Sequence, residues 1–546
     1  MSTFNELIDF TRSTTGTYLD SVVYGDELVT NGTFATDSDW IKDSGWTISN
    51  GQAQCDGTDG AQFRTIDSPL TDGKTYYISY EITAYTSGDI RVLGQGFYGI
   101  SGNSVSTVTG IFVATKPYVR FYSSAFNGSI DNVSVKELTG GQVSGTPLLR
   151  TAAINEPRLE YDASGNPLGL LIEEGRTNVL LHSEDFTNAN WGKTNLTATA
   201  NAATAPDNTQ TADKLQLNST TAGVYMVQDN STSSSGYKTV TVYAKDNNAG
   251  YVILRVGDQP SSADRYLVLV DLSNGHVVDT AISGNPLNVS HTVTPVGNNW
   301  YRVSVTANLN ESGIRVAITP YCVSSITHTD GTPENAGGAV GNSVYIWGAQ
   351  LEQGAFPTSY IPTSGSTVTR NKDVVSVPVE RFGYNTSQAT VIAYAKSFLP
   401  SATTYLWEIG SGSADRNFAK AYNQQSLYVI ANSVNTVNLN AGTFTANNYG
   451  KLASALKANS FAASLDGGSA VIDNTGAVQL DLPAIAIGQN RSYEETLNGH
   501  IKQIQYYPKR LSNTELQLLT QPSASPTMNL TFDGQATSTL VEGFHD

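Results

Sequence analysis

Thr239-Val240-Thr241-Val242-Tyr243-Ala244 alternates polar and apolar side chains with a period of two, the signature of a half-buried β-strand rather than a helix. Trp300-Tyr301-Arg302-Val303-Ser304-Val305 repeats the pattern, as do Tyr76-Tyr77-Ile78-Ser79-Tyr80-Glu81-Ile82 and Tyr118-Val119-Arg120-Phe121-Tyr122. Each run is bounded by Gly, Asn, Asp or Pro clusters that supply turn conformations. Strands punctuated this way, with no long helical period between them, predict an all-β chain of antiparallel sandwiches. One helix signal stands apart. In Leu511-Ser512-Asn513-Thr514-Glu515-Leu516, Ser512 can cap and Glu515 follows three residues later, a capping box.

Composition agrees and narrows the function. Of 546 residues only 14% are charged, and the place of the missing charges is taken by Gly, Ser, Thr, Asn and 28 Tyr. That mix favours short strands and tight turns. The 48 acids outnumber the 31 bases, for a net charge of −17, which argues against nucleic-acid binding through phosphate neutralisation. No apolar run approaches the roughly 20 residues of a membrane-crossing helix, so no membrane insertion is expected. The opening MSTFNELIDFTRS shows neither a basic n-region nor an apolar h-region, and synthesis in the cytoplasm is the expectation. Cys55 and Cys322 lie far apart and read as small buried thiols.

Two segments read as copies of one architecture. The first opens with Leu28-Val29-Thr30-Asn31-Gly32-Thr33-Phe34, reaches Trp40 and closes on Ile130-Asp131-Asn132-Val133-Ser134-Val135. The second opens with Leu181-His182-Ser183-Glu184-Asp185-Phe186, reaches Trp191 and closes on Val344-Tyr345-Ile346-Trp347-Gly348-Ala349. Opening and closing strands are expected side by side, as at the edges of a jelly roll. Trp40, Trp191 and Trp407 read as core anchors rather than sugar platforms.

These segments resemble the carbohydrate-binding jelly rolls attached to glycan-degrading enzymes and phage adhesins. The run Asn155-Glu156-Pro157-Arg158-Leu159-Glu160-Tyr161-Asp162, then Gly169-Leu170-Leu171-Ile172-Glu173-Glu174-Gly175-Arg176-Thr177-Asn178, resembles a connector of phage tail and virion-appendage proteins. There the connector follows a short opening like Phe10-Thr11-Arg12-Ser13-Thr14-Thr15-Gly16-Thr17-Tyr18-Leu19-Asp20. This chain departs from that pattern by a long segment between the two halves, read as a jelly roll inserted in their joining loop. Gln350 to Thr363, followed by Val368-Thr369-Arg370, is similar to the exit of such modules. Ser464-Leu465-Asp466-Gly467-Gly468, and Leu497 to Tyr507 with Arg510 to Leu516, resemble a laminin G-type, concanavalin A-like sandwich.

The fold expected is therefore tandem β-sandwiches, two jelly rolls and a concanavalin A-like sandwich. An N-terminal attachment segment 1–23 continues at 139–181 as the connector. An inserted carbohydrate-binding-module-like jelly roll spans 24–138 and a second spans 182–363. The concanavalin A-like sandwich covers 375–520, before a C-terminal tail at 521–546. That tail, with Met528-Asn529-Leu530-Thr531-Phe532, is read as a strand able to pair with a neighbouring chain.

A glycosidase needs two carboxylates across the scissile bond, and no such constellation is visible at 375–520. Glu408 stands alone in Tyr405-Leu406-Trp407-Glu408-Ile409-Gly410, while Glu494 and Glu495 are neighbours that would point apart. Glu173 and Glu174 read as packing or salt-bridge acids. The six histidines show no metal-ligand spacing, and His500 beside Gly499 reads as surface or turn structure. The resemblance to carbohydrate-binding jelly rolls implies a structural calcium, with Asp131 and carbonyls near Asn31 as its local analogue.

Binding remains. Sugars are held by aromatic rings and planar polar side chains, and the loops Asp415-Arg416-Asn417-Phe418 and Asn490-Arg491-Ser492-Tyr493-Glu494 offer both along one sandwich rim. Asp415, Arg416, Asn417, Arg491 and Tyr493 are the candidate glycan contacts. The resemblance implies a non-enzymatic virion protein, a tail fibre or receptor-binding adhesin. It would be displayed on the particle, assembled as a homotrimer with other virion proteins, and directed at host surface glycan. A capsid decoration or head-fibre protein, and a glycan depolymerase, are the alternatives.

Overall fold

The computed structural model describes residues 8–20, 24–72, 74–92, 101–138, 148–163, 166–220, 223–230, 235–258, 264–309, 313–326, 336–399, 404–410, 416–421, 426–431, 434–478, 484–521, 529–532 and 538–539. Strands dominate, and a single α-helix, Asn513–Thr520, is found among the described residues. The chain divides into two compact units, Met1–Ser21 with Thr146–Leu540, and Val22–Gly145 with Val541–Asp546.

The smaller unit is built on two long strands, Thr75–Val92 and Arg120–Leu138, paired antiparallel. Their register shifts four times between Ser124 and Ser134, and such bulges bend and twist a ribbon so that it can wrap a core. Gly88 sits at φ +75°, where a Cβ would lie 2.0 Å from the Ala125 carbonyl oxygen, so only glycine fits this crossing. Trp40 and Trp46 stack on Phe63 at 4.5 and 4.8 Å between ring centres. The opening run lies beside the closing strand as expected, through Leu28 N–H to Val135 O and Val133 N–H to Gly32 O, both 2.9 Å.

In the larger unit the second sandwich has two six-stranded sheets. One runs Gly192–Thr194, Tyr225–Asn230, Ile314–Tyr321, Tyr251–Asp258, Arg265–Asp271, His276–Ser283. The other runs Leu196–Ala203, Ala212–Leu217, Ser343–Gln353, Gly236–Asn247, Tyr301–Leu309, Leu287–Pro295. Between them lie Phe186, Trp191, Val240, Val242, Leu254, Val303 and Ile346, all buried. The opening run meets the closing strand through Val179 N–H to Leu351 O and Ala349 N–H to Ser183 O, both 2.9 Å.

The third sandwich draws strands from outside its own stretch of sequence. Its seven-stranded sheet begins with Asp9–Thr11, continues through Val374–Pro378, Ala484–Ile487, Tyr405–Gly410 and Arg416–Lys420, and ends at Leu427–Ala431 and Val434–Leu439. The facing sheet takes in Leu159–Tyr161 and Pro167–Ile172 of the connector before Gly499–Tyr507, Gln388–Ser397, Tyr449–Lys457, Phe461–Leu465 and Val471–Asp473. The helix has the expected capping box: Ser512 Oγ accepts from Glu515 N–H, and Ser512 N–H donates to Glu515 Oε2. Two expectations are corrected here. Asn529–Phe532 pairs in parallel with Gly499–Tyr507 of its own chain, satisfying the edge that was expected to meet a neighbour. His500 is 1% exposed, because strand pairing and Glu160 enclose it.

The connector sequence has a physical explanation. Gly16–Asp20 pairs antiparallel with Leu148–Ala152, bringing the opening beside the connector. Arg12, Arg158 and Arg370 then meet Glu173 and Asp373 in one buried cluster. Arg158 bridges Glu173 at 2.8 Å and also holds Asp373, and Arg12 reaches Asp373 at 3.0 Å. Three guanidiniums against two carboxylates leave one positive charge over. Carbonyls of Thr14, Ala153 and Glu156 on Arg12, and of Asn371 and Glu174 on Arg370, absorb it.

Candidate functional site

Strand register assembles a polar face on the third sandwich. Glu408 stands opposite Phe418, and Phe418 opposite Tyr428, across three neighbouring strands. Alternation then puts Arg416 and Lys420 on that face with them, and sends Trp407, Ile409, Ala419 and Val429 into the core. Trp407, Trp40 and Trp191 are all buried anchors, as the sequence predicts.

The rings pack beneath the charged heads, Tyr405 and Phe418 each 2% exposed and Tyr428 half-buried. Phe418 stacks on Tyr428 at 5.0 Å and packs against Tyr405 at 5.1 Å. The Lys420 ammonium lies 4.3 Å from the Tyr405 ring centre, and the Arg416 guanidinium 5.1 Å from that of Phe418. A loop from 489 to 496 closes over one end. Asn490 Oδ1 accepts from Glu494 and Glu495 N–H, which holds Tyr493 at φ +57°. From this loop Arg491 Nε donates to Gly410 O at 3.1 Å and Arg491 Nη1 to Tyr493 OH at 3.3 Å. Of the two loops expected from sequence, Asn490 to Glu494 is one, whereas Arg416, Asn417 and Phe418 lie in the strand Arg416–Lys420.

Glu408 is the centre of the cluster. It is 2% exposed, its Oε1 lies 4.0 Å from Arg416 Nη1, and its buried Oε2 takes no hydrogen bond among the described residues. Arg416 Nε is likewise buried without a partner. Burial raises the Glu408 carboxyl, opposed by the charge of Arg416 and by the backbone N–H and charge of Arg491, and assisted by the nearby charge of Glu495. The same two acids, after burial, push the Tyr405 hydroxyl up. Glu494, as expected of a neighbour on extended chain, turns the other way, toward Lys372.

The sequence candidates divide. Arg416, Arg491 and Tyr493 lie at this face. Asp415 lies outside the described residues. Asn417 is corrected: it is fully buried, paired in register with Ile409 and Val429, and so belongs to the core side of the strand. Sequence reasoning missed the grouping of Glu408 with Tyr405, Lys420 and Glu495. The alternation within Arg416–Lys420 was the available signal, since it puts Arg416, Phe418 and Lys420 on one side.

Asp131, in the smaller unit, accepts from Asn132 N–H, and the Asn31 carbonyl is shared by Phe34 N–H and Trp40 Nε1. Those residues offer one carboxylate and an occupied carbonyl, a poor set for calcium, which takes six to eight oxygens. Among the described residues no group of three His, Cys, Asp or Glu could hold a metal.

No family model matches the sequence, and no curated protein matches it. Among solved structures, the N-terminal tandem CBM22-1–CBM22-2 domain of Xyn10C from Paenibacillus barcinonensis is similar at 11% identity with a TM-score of 0.23. The match covers 61% of this chain and 98% of that one. Similarity of this degree identifies neither a shared ligand nor a shared activity, and the tandem β-sandwich architecture rests on the strands themselves.

Proposed function

We propose that the chain is a glycan-binding virion protein without catalytic activity, a tail fibre or related appendage, and that the outer face around Glu408 reads host surface saccharide. The observation that carries the binding reading is the pair of unpartnered buried atoms, Glu408 Oε2 and Arg416 Nε, beside the Phe418 and Tyr428 rings. A buried polar atom without a partner calls for a polar ligand or ordered water. Hydroxyl groups meeting such atoms while a sugar ring lies against Tyr428, the half-buried ring of the three, satisfy both demands. The virion reading is supported by the resemblance of the connector and exit sequences, and with it come a homotrimer and virion partners. Trimeric display would turn weak single-site affinity into avidity.

Full-length protein titrated with purified host surface polysaccharide tests this. Tyr428→Ala is expected to weaken binding tenfold or more while leaving the thermal transition in place. Saturable binding absent from every host polysaccharide tried would favour a capsid decoration role instead. A depolymerase is the second reading, because Glu408 is buried on this face and Glu495 sits in the loop that closes over its end. Release of reducing ends from polysaccharide, lost in Glu408→Gln, would establish that reading in place of simple binding.

A further inference from the structure

In the smaller unit the strand Gln62–Thr65 lies between Trp40–Lys42 and Arg120–Leu138, and the end of Thr75–Val92 lies beyond. Alternation sends Phe63, Phe121 and Val92 into the core and turns Gln62, Arg64, Arg120, Tyr122 and Arg91 to the other side, where all are half-buried. Register sets Arg64 directly opposite Arg120, and Tyr122 opposite both Gln62 and Arg91. Like charges placed opposite each other destabilise a strand pair. A guanidinium keeps its charge at any physiological pH, so deprotonation gives no relief.

The chain itself supplies no counter-charge. Among the described residues neither Arg64 nor Arg120 makes an ion pair. Arg64 lies over the Tyr118 ring at 4.8 Å, and Arg120 Nη1 makes only a long contact, 3.4 Å, with Gln62 Oε1. Arg120 Nε is buried without a partner. The acids close by are engaged elsewhere. Asp89 pairs with Arg91 at 3.5 Å, and Asp43 Oδ2 accepts from Gln62 N–H at 2.9 Å. Two guanidiniums therefore stay without a carboxylate in a protein whose net charge is −17.

Charge and shape narrow the ligand class. A neutral ligand would leave both charges unmatched, and a single carboxylate would match one. A phosphate monoester carries about −1.5 to −2 near pH 7 and three acceptor oxygens, enough to meet donors from two strands at once. Guanidinium forks fit phosphate oxygens in pairs, which a lysine ammonium does not. The Tyr122 hydroxyl, with no hydrogen bond among the described residues, is a further donor on the same side.

We propose that this face binds a terminal phosphate group, free or esterified, through Arg64 and Arg120. It belongs to the other unit from Glu408 and stands whether or not the face around Glu408 binds saccharide. The test titrates full-length protein with inorganic phosphate and with sn-glycerol 3-phosphate at fixed ionic strength, followed by ³¹P line broadening. At least one is expected to bind saturably, with acetate a much weaker competitor. Arg64→Gln and Arg120→Gln are each expected to weaken binding by about fivefold or more. Both variants should melt at the parent temperature or above, because each removes a like-charge contact. Phosphate should raise the melting temperature of the parent and not of the variants. Lys42→Gln, on the same sheet but opposite Phe63 and so facing the other way, should leave binding unchanged, as should Tyr428→Ala. Saturable binding of neither phosphate overturns the proposal. So does binding that both arginine variants leave intact, or acetate competing as well as phosphate does, which would make this a carboxylate site. Tighter binding of the ester places the phosphate on a larger molecule, equal binding makes it a free ion, and both uphold the site.

Discussion

The indole N–H of Trp191 donates to the carbonyl of His182 at 3.0 Å, and that of Trp40 donates to the carbonyl of Asn31 at 3.1 Å. His182 and Asn31 both sit at φ +55°. Phe186 packs on Trp191 at 5.1 Å, and Phe34 on Trp40 at 5.4 Å. The same bend, phenylalanine and tryptophan therefore close the opening of both jelly-roll segments. A left-handed residue turns the chain so that its carbonyl faces inward, and the indole satisfies it without water.

Removing that plug opens a cavity in a close-packed core. Trp191→Ala is expected to cost about 3–5 kcal/mol, whereas Trp191→Phe keeps most of the volume and loses mainly the hydrogen bond, about 1 kcal/mol. Urea denaturation followed by circular dichroism checks the order of the two. Equal losses would mean that the hydrogen bond, not the packing, holds the bend.

Glu173 carries the acid stability of the connector cluster. Burial alone would raise its carboxyl, but Arg370 and Arg158 more than offset this and lower it from 4.5 to about 2. A depressed carboxylate contributes stability in full above pH 4.5, and that contribution disappears as pH falls toward 2. Glu173→Gln leaves buried guanidiniums short of a counter-charge and is expected to cost about 3–5 kcal/mol at neutral pH. Melting temperatures measured from pH 7 to pH 3 should fall less steeply in the variant than in the parent.

Glu408 has the opposite sign. Its carboxyl is raised, first by burial, so the folded state holds the proton more tightly than the unfolded chain does. Stability from this group is present at low pH and declines as pH rises through its folded value. Glu408→Gln removes the cost of burying the charge, so the variant is expected to melt at the same temperature or higher at pH 7. A loss of several degrees there would show that the Arg416 pairing outweighs the desolvation.

His500 supplies a third titration. Burial lowers it, and the neighbouring charge of Lys396 acts in the same direction, against the hydrogen bond and charge of Glu160. With the folded value below 6.5, the neutral ring contributes stability above that pH, and the contribution is lost on acidification. His500→Gln can still reach Glu160 and is expected to flatten the pH dependence of melting between pH 7 and pH 5. An unchanged slope would assign that dependence to other groups.

Local chemistry was readable without coordinates. The period-two runs at Tyr76–Ile82 and Thr239–Ala244 lie inside the strands Thr75–Val92 and Gly236–Asn247, and the Ser512–Glu515 box caps the helix. Each depends on residues a few positions apart, where alternation, turn chemistry and capping act directly. Indoles in apolar company were readable as core for the same reason.

What the linear order of residues left open was every pairing across long stretches of chain. Glu160 holds His500, Arg12 holds Asp373, and Glu495 reaches the neighbourhood of Glu408. A strand's alternation says which side chains share a face, and it is silent on which strand comes to lie beside it. Burial of an ionisable group then follows from that partner strand, because only a counter-charge or hydrogen bond delivered from elsewhere makes the desolvation tolerable.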